Sequence, residues 1–203
     1  MMYTIHPPYL IKKAYPSLIW RKNKAAKKIY LTFDDGPVPF ITTWVLDVLK
    51  EEQVSATFFC VGKNVVLHPE IYTRILKENH RLGNHTYTHL NGWNSHTNNY
   101  LDDINKCAMH VKTNLFRPPY GRIKKSQINQ LKVTYSIIMW DVLTGDYDKK
   151  ITPEKCLHNA ISNIRNGSIV VFHDSDKAKI NMQFALPRFI KYAKEQGFEF
   201  DVL

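Results

Sequence analysis

The sequence predicts an α/β fold with parallel strands and, among such folds, a (β/α) barrel. Short apolar, β-branched runs alternate with helix-spaced runs about seven times along the chain, without long unstructured insertions or internal repeats. Such alternation requires parallel strands joined by helical crossovers, in an open doubly wound sheet or a closed barrel. Polar residues gather directly after the strands, at Asp34-Asp35, His85 and His89, Arg117, Asp146 and His173-Asp174. Barrel active sites occupy that carboxyl rim, which favours the barrel.

Residues 1–27 read as an arm packed on the domain, apolar at Tyr9, Leu10, Ile11, Tyr15, Leu18, Ile19 and Trp20, then basic at Arg21-Lys22-Asn23-Lys24. Ile29 to Phe33 reads as a buried strand that breaks at Gly36-Pro37, right after two carboxylates. Thr42 is placed as the cap of a helix carrying Val45, Leu46, Val48 and Leu49. Ala56 to Val61 reads as a second strand, and Pro69 as the first turn of a helix ending near Asn79. Thr97 opens a longer helix with Tyr100, Ile104 and Cys107 on one face, followed by a short strand at Leu115-Phe116. A weak helix around Ile128 and Leu131 precedes Val133 to Trp140, which reads as a central strand. Thr152-Pro153-Glu154 combines a cap, a first-turn proline and an early acid, and opens a helix running towards Gly167. A strand from Ser168 to Phe172, a helix from Phe184 to Lys194 and a strand from Phe198 to Val202 complete the chain.

With 203 residues, 44% hydrophobic, the chain suits one domain with a substantial core and excludes disordered and fibrous classes. The formal charge of +10 favours anionic partners such as nucleic acid, lipid or an acidic wall polymer. Cys60, Cys107 and Cys156 are isolated and odd in number, so they encode neither a disulfide framework nor a thiolate zinc site and are expected in the core. No apolar run approaches the ~20 residues of a membrane span, and Pro7-Pro8 and Lys12-Lys13 interrupt any signal-like start. A cytoplasmic location is the default expectation, with export lacking a recognisable signal left open.

Adjacent strand residues point to opposite sides, so Asp34 and Asp35 can take different jobs, one binding a metal and one handling a proton. On its own the pair also reads as a solvated turn. His85-Thr86-Tyr87-Thr88-His89 spaces two imidazoles four apart, which a helical turn brings to one face at metal reach. With a carboxylate they make a His-His-Asp triad that leaves coordination positions open, as catalytic rather than structural zinc sites do. Zinc is favoured by these ligands, and cobalt, nickel or manganese would also be accepted.

Thr32-Phe33-Asp34-Asp35-Gly36, His85-Thr86-x-x-His89, Arg117-Pro118-Pro119-Tyr120-Gly121 and Val171-Phe172-His173 occur in order with suitable separations. They resemble the motifs of the polysaccharide deacetylases, the NodB-homology family of carbohydrate esterases, over residues 28–203. The resemblance implies a distorted seven-stranded (β/α) barrel that removes N-acetyl, or O-acetyl, groups from a glycan, with N-acetylglucosamine of peptidoglycan or a chitin-like polymer as substrate. It implies Asp35, His85 and His89 as ligands of one divalent metal, Asp34 as general base and His173 as general acid. Arg117 would hold the base, the Tyr120 backbone N–H would stabilise the oxyanion, and Asp146 would tune His173. Trp140, Tyr147 and Tyr120 would line the substrate site, with Val171 in the acetyl-methyl pocket. Two departures, Leu143 where the family has an acid and Tyr147 where it has tryptophan, bear on substrate choice.

Other residues are expected to play no chemical part. His96 reads as a polar loop residue, Asp174 as a turn carboxylate, and Trp44, Trp93, Phe58 and Phe59 as core or groove packing. No Gly-rich phosphate loop is present. Two competing readings follow from the same sequence. One is a non-catalytic glycan-binding module that keeps a metal; the other, from the charge alone, is a phosphoesterase or nucleic-acid binder, which lacks any recognised base-stacking motif.

Overall fold

The computed structural model describes residues 4–22 and 25–203. Part of the basic cluster, Asn23-Lys24, lies outside the described residues. The central sheet comprises β1 (Lys28–Asp34), β2 (Thr57–Cys60), β3 (Arg81–Asn84), β4 (Leu115–Phe116), β5 (Ser136–Ile137), β6 (Val142–Leu143) and β7 (Ile169–His173), with a short β8 (Glu199–Asp201). These pair in the order β5-β4-β3-β2-β1-β7-β6, and β8 adds to the start of β1. All ladders are parallel. The helices are α1 (Tyr9–Ala14), α2 (Ile41–Glu51), α3 (Gly62–Leu67), α4 (Pro69–Lys77), α5 (Thr97–Ala108), α6 (Lys125–Leu131), α7 (Pro153–Ile161) and α8 (Lys179–Glu195). The result is a curled, incomplete barrel, the distorted barrel that the family resemblance implies.

The period-two alternation of β1 divides two cores. Leu31 and Phe33 face outward into the large cluster that includes Val45 and Leu49 of α2 and Phe189 and Ile190 of α8. Tyr30 faces inward to a smaller cluster with Phe59, Leu115, Ile138 and Ile169. Thr32 and Asp34, in phase with Tyr30, therefore point into the barrel mouth. Between β5 and β7 the arm fills the gap, with Ile19 bridging Ile138 and Arg21 bridging Ser168. Buried Asp141 ties this region together, accepting from Lys12 (2.8 Å), Arg165 and Ser168.

Several elements differ from the sequence expectation. Val133 to Trp140 is not a central strand: only Ser136–Ile137 pair as β5, at the end of the sheet order, and Val133 is 84% exposed. The apolar residues there pack as irregular chain against α6, so hydrophobicity overstated the strand. Thr42 is not a cap; it lies inside α2, and its hydroxyl accepts the Val38 amide at 2.7 Å and donates to Asp174 at 2.6 Å. β3, β6 and α3 were not expected. Each is four to six residues or shorter and too brief to show a period. Thr152 does cap α7 through the Lys155 amide, and all three cysteines are free and buried. No helix among the described residues is long and apolar enough to cross a membrane.

Candidate active site

Parallel strands present their carboxyl ends at one rim, and β1, β3 and β7 each end on or directly before residues of the predicted site. Asp34 closes β1 and Asp35 follows it; His85 follows β3; His173 closes β7 and pairs in register with Asp34.

The ligand atoms of Asp35, His85 and His89 lie within 4.8 Å of one another. His89 Nε2 is 3.1 Å and His85 Nε2 is 3.8 Å from Asp35 Oδ1. The two histidines reach this position from a loop rather than the expected helical turn, with Thr86 and His89 at φ 64° and 59°. Asp103 of α5 braces that loop by accepting the amides of Tyr87 (2.9 Å) and Thr88 (3.0 Å). His85 Nδ1 faces the Arg117 carbonyl at 2.7 Å, which fixes N–H on Nδ1 and leaves Nε2 as a lone-pair donor. Burial pushes the His85 pKa down to about 4 against the attraction of Asp34, so the imidazole is neutral. Burial opposes ionisation of Asp35, yet the His89 hydrogen bond and the nearby imidazoles hold its carboxyl well below the ordinary range. One anionic oxygen and two oriented imidazole nitrogens at this separation fit a divalent cation.

Beside this cluster Arg117 is buried, its guanidinium 2.6 Å from Asp34 Oδ1, 2.8 Å from Thr32 Oγ1 and within reach of the Ile138 and Met139 carbonyls. It lies 4.1 Å over the Phe59 ring, wedged between the inner core and the mouth. His173 donates its backbone N–H to Asp146 Oδ2 (2.6 Å), and its Nδ1 meets Asp146 Oδ1 at 2.8 Å. Burial alone would lower the His173 pKa, but the Asp146 carboxylate overrides it and raises the value to about 9. Tyr147 stacks edge-on against His173 at 4.8 Å.

Tyr120 is 56% exposed, with its hydroxyl 3.1 Å from His89 Nδ1. Gly121 is left-handed (φ 66°), and a Cβ there would stand 2.4 Å from the Trp140 ring, so glycine lets Trp140 close under the loop. Val171 is buried in β7 next to Leu143 in register, which puts the departing leucine at the inner wall. Asp35, Thr86, His89 and Tyr120 all have left-handed backbones. Four such residues around one mouth, each costing on the order of 1–3 kcal/mol, mark the place where the surrounding structure overrides local preference.

Asp174 is not a turn carboxylate. It is 1% exposed, accepts the Gly36 amide at 3.0 Å and the Thr42 hydroxyl at 2.6 Å, and donates its own N–H to the Asp34 carbonyl. Burial raises its pKa to about 8. Its partners lie more than 130 residues away in sequence, so nothing local to Asp174 signals this role. His96 occupies the N-terminal flank of α5 and takes no part in the cluster. Phe58 and Phe59 are core, whereas Trp93 is 57% exposed.

Fold and site together define a curled (β/α)-barrel protein with a three-residue cluster able to hold a cation, flanked by an Asp–Arg and a His–Asp pair. The family model described as polysaccharide deacetylase matches residues 21–135. The chain is 34% identical over 188 residues to the peptidoglycan-N-acetylglucosamine deacetylase of Bacillus cereus, covering 89% of this chain and 88% of that protein. It superposes on the crystal structure of the Bc1960 peptidoglycan N-acetylglucosamine deacetylase with a TM-score of 0.88 at 30% identity, over 97% of this chain and 95% of that one. BA3943 from Bacillus anthracis, described as a CE4 family pseudoenzyme, superposes with a TM-score of 0.78 at 26% identity, over 91% of this chain and 66% of that one. The chain belongs to the polysaccharide deacetylase family, whose named relatives include deacetylases of peptidoglycan and of chitooligosaccharides.

Proposed function

We propose that the protein hydrolyses the N-acetyl group of N-acetylglucosamine units in peptidoglycan or a related glycan. The observation that carries this reading is the juxtaposition at one rim of the Asp35-His85-His89 cluster with two polar pairs, Asp34–Arg117 and His173–Asp146. An amide has a weak electrophile and a poor leaving group, so its hydrolysis needs a base on one side and an acid on the other.

Asp35, His85 and His89 would hold one divalent cation, with zinc suited to two imidazoles and a carboxylate. When bound, it supplies Lewis-acid polarisation of the acetamide carbonyl. Asp34, held by Arg117, takes the proton of the attacking water. His173 donates the proton on Nε2 to the departing amine, since Nδ1 is committed to Asp146. The Tyr120 backbone N–H donates to the developing oxyanion, a contribution typically worth a few kcal/mol. Val171 and Leu143 form the apolar wall against which the acetyl methyl sits, and Trp140 and Tyr147 flank the sugar.

A metal-retaining module that binds glycan without turnover is the second reading, favoured by a relative described as a pseudoenzyme. One experiment separates them: acetate release from N-acetylglucosamine oligomers and from peptidoglycan by the metal-loaded protein. Release abolished in Asp34→Ala is expected. Tight binding without any acetate would leave the module.

A further inference from the structure

Where the first turns of α2 and α4 meet, the surface opens into a cleft of about 520 Å³ lined by Pro39, Phe40, Thr43, Trp44, Asp47 and Glu70, among others. It is shallow and widely open to solvent. None of these residues belongs to the cation cluster or to the acid–base pairs. α2 starts directly after β1, so this cleft adjoins the same rim as the active site. Phe40 is five steps along the chain from Asp35, a path of at most about 18 Å.

Phe40 is the unusual member. It is 86% exposed, so its ring contributes little to the core, and its backbone is left-handed at φ 63° and ψ −40°. A bulky aromatic in that conformation is both strained and solvent-facing, a combination that folding alone does not reward. Trp44, by contrast, packs on the outer core and supplies a fixed wall, with buried Ile71 beneath. The polar rim carries acceptors: the carboxylates of Asp47 and Glu70 and the Thr43 hydroxyl. Asp47 already takes Arg74 at 2.6 Å, but a carboxylate offers about four lone-pair positions, so acceptor capacity remains.

We propose that this cleft is a subsite for a sugar ring beyond the second, counted along the glycan chain from the ring that reacts, stacked on Phe40. A pyranose has apolar C–H faces and a hydroxyl edge, matching an aromatic platform bordered by hydrogen-bond acceptors. The proposal rests on the glycan reading above. Binding energy gained at a distance from the reacting group is expressed only with substrates long enough to span both places. Phe40 therefore sets preference for chain length, not the chemistry.

The test compares the dimer and the hexamer of β-1,4-linked N-acetylglucosamine on zinc-loaded wild type, Phe40→Ala and Phe40→Tyr, reading acetate release and, by calorimetry, hexamer affinity. Phe40→Ala is expected to lower kcat/KM on the hexamer roughly fivefold, the scale of one lost aromatic contact, and to leave the dimer unchanged. Phe40→Tyr restores the hexamer value. Equal effects on both oligomers, or no effect on the hexamer, overturn the subsite. If the wild type releases no acetate, the deacetylase reading fails alone; hexamer affinity that is weaker in Phe40→Ala still supports the subsite, and unchanged affinity overturns it.

Discussion

Asp146 grips His173 at two points, its Oδ2 on the backbone N–H at 2.6 Å and its Oδ1 on the ring Nδ1 at 2.8 Å. The first contact fixes where the histidine sits and the second fixes which way its ring faces and which nitrogen is left for substrate. A proton donor must be protonated at the start of the step, so activity should fall as pH rises through the His173 pKa of about 9. Asp146→Asn removes the charge that raises this value while keeping a hydrogen-bonding side chain. The alkaline limb of kcat/KM against pH, recorded on metal-saturated protein, is expected to move to lower pH, with a loss of about 10²-fold or more at the optimum. An alkaline limb that stays in place would show that another group is the acid.

Arg117 is buried with Asp34 as its ion-pair partner. Arg117→Ala would leave a buried carboxylate without its counter-charge and is expected to cost about 3–5 kcal/mol of stability, read from urea unfolding. Arg117→Lys should rescue little, because one ammonium cannot reach Asp34, Thr32 and two carbonyls at once.

The Tyr120 hydroxyl meets the outer nitrogen of His89. Tyr120→Phe leaves the backbone N–H in place but frees that ring, so cation affinity should drop roughly 10–100-fold while turnover of the fully loaded protein changes less. Competition with a fluorescent chelator measures the first, and acetate release at saturating zinc the second.

Gly36 sits against Asp174 so closely that an added Cβ would come within 1.9 Å of Oδ2. Gly36→Ala must push the loop carrying Asp35 away from β7. Weaker zinc binding is expected together with a lower Tm, and Asp174→Ala should reproduce the loss of zinc affinity without the clash.

Removing the cation with a chelator should abolish acetate release, and adding zinc or cobalt should restore it. His85→Ala and His89→Ala should not be restored at any zinc concentration that the wild type needs.

Much of the fold was legible because the long amphipathic helices and β1 and β7 carry clear periodicity. The elements that escaped, β3, β6 and α3, are too short for any period to accumulate, and Val133 to Trp140 misled because its apolar residues serve packing without a ladder. The residues at the site were legible as motifs, since chemistry restricts which side chains can stand at Asp34, Asp35, His85, His89 and His173. Their supports were not. Asp103 and Thr42 are ordinary helix residues in sequence, and Asp174 looks like a polar residue in a turn; their roles exist only once distant segments meet.

The seam between β5 and β7 is sealed by Ile19 and Arg21, whose partners Ile138 and Ser168 come more than a hundred residues later. During synthesis this arm emerges well before its partners and must wait for β7 before it can dock. Closing so large a loop is entropically costly and tends to be slow. The barrel is thus completed late, and a nascent chain halted before β7 would present an unsealed sheet edge, the kind of surface that other chains can pair with.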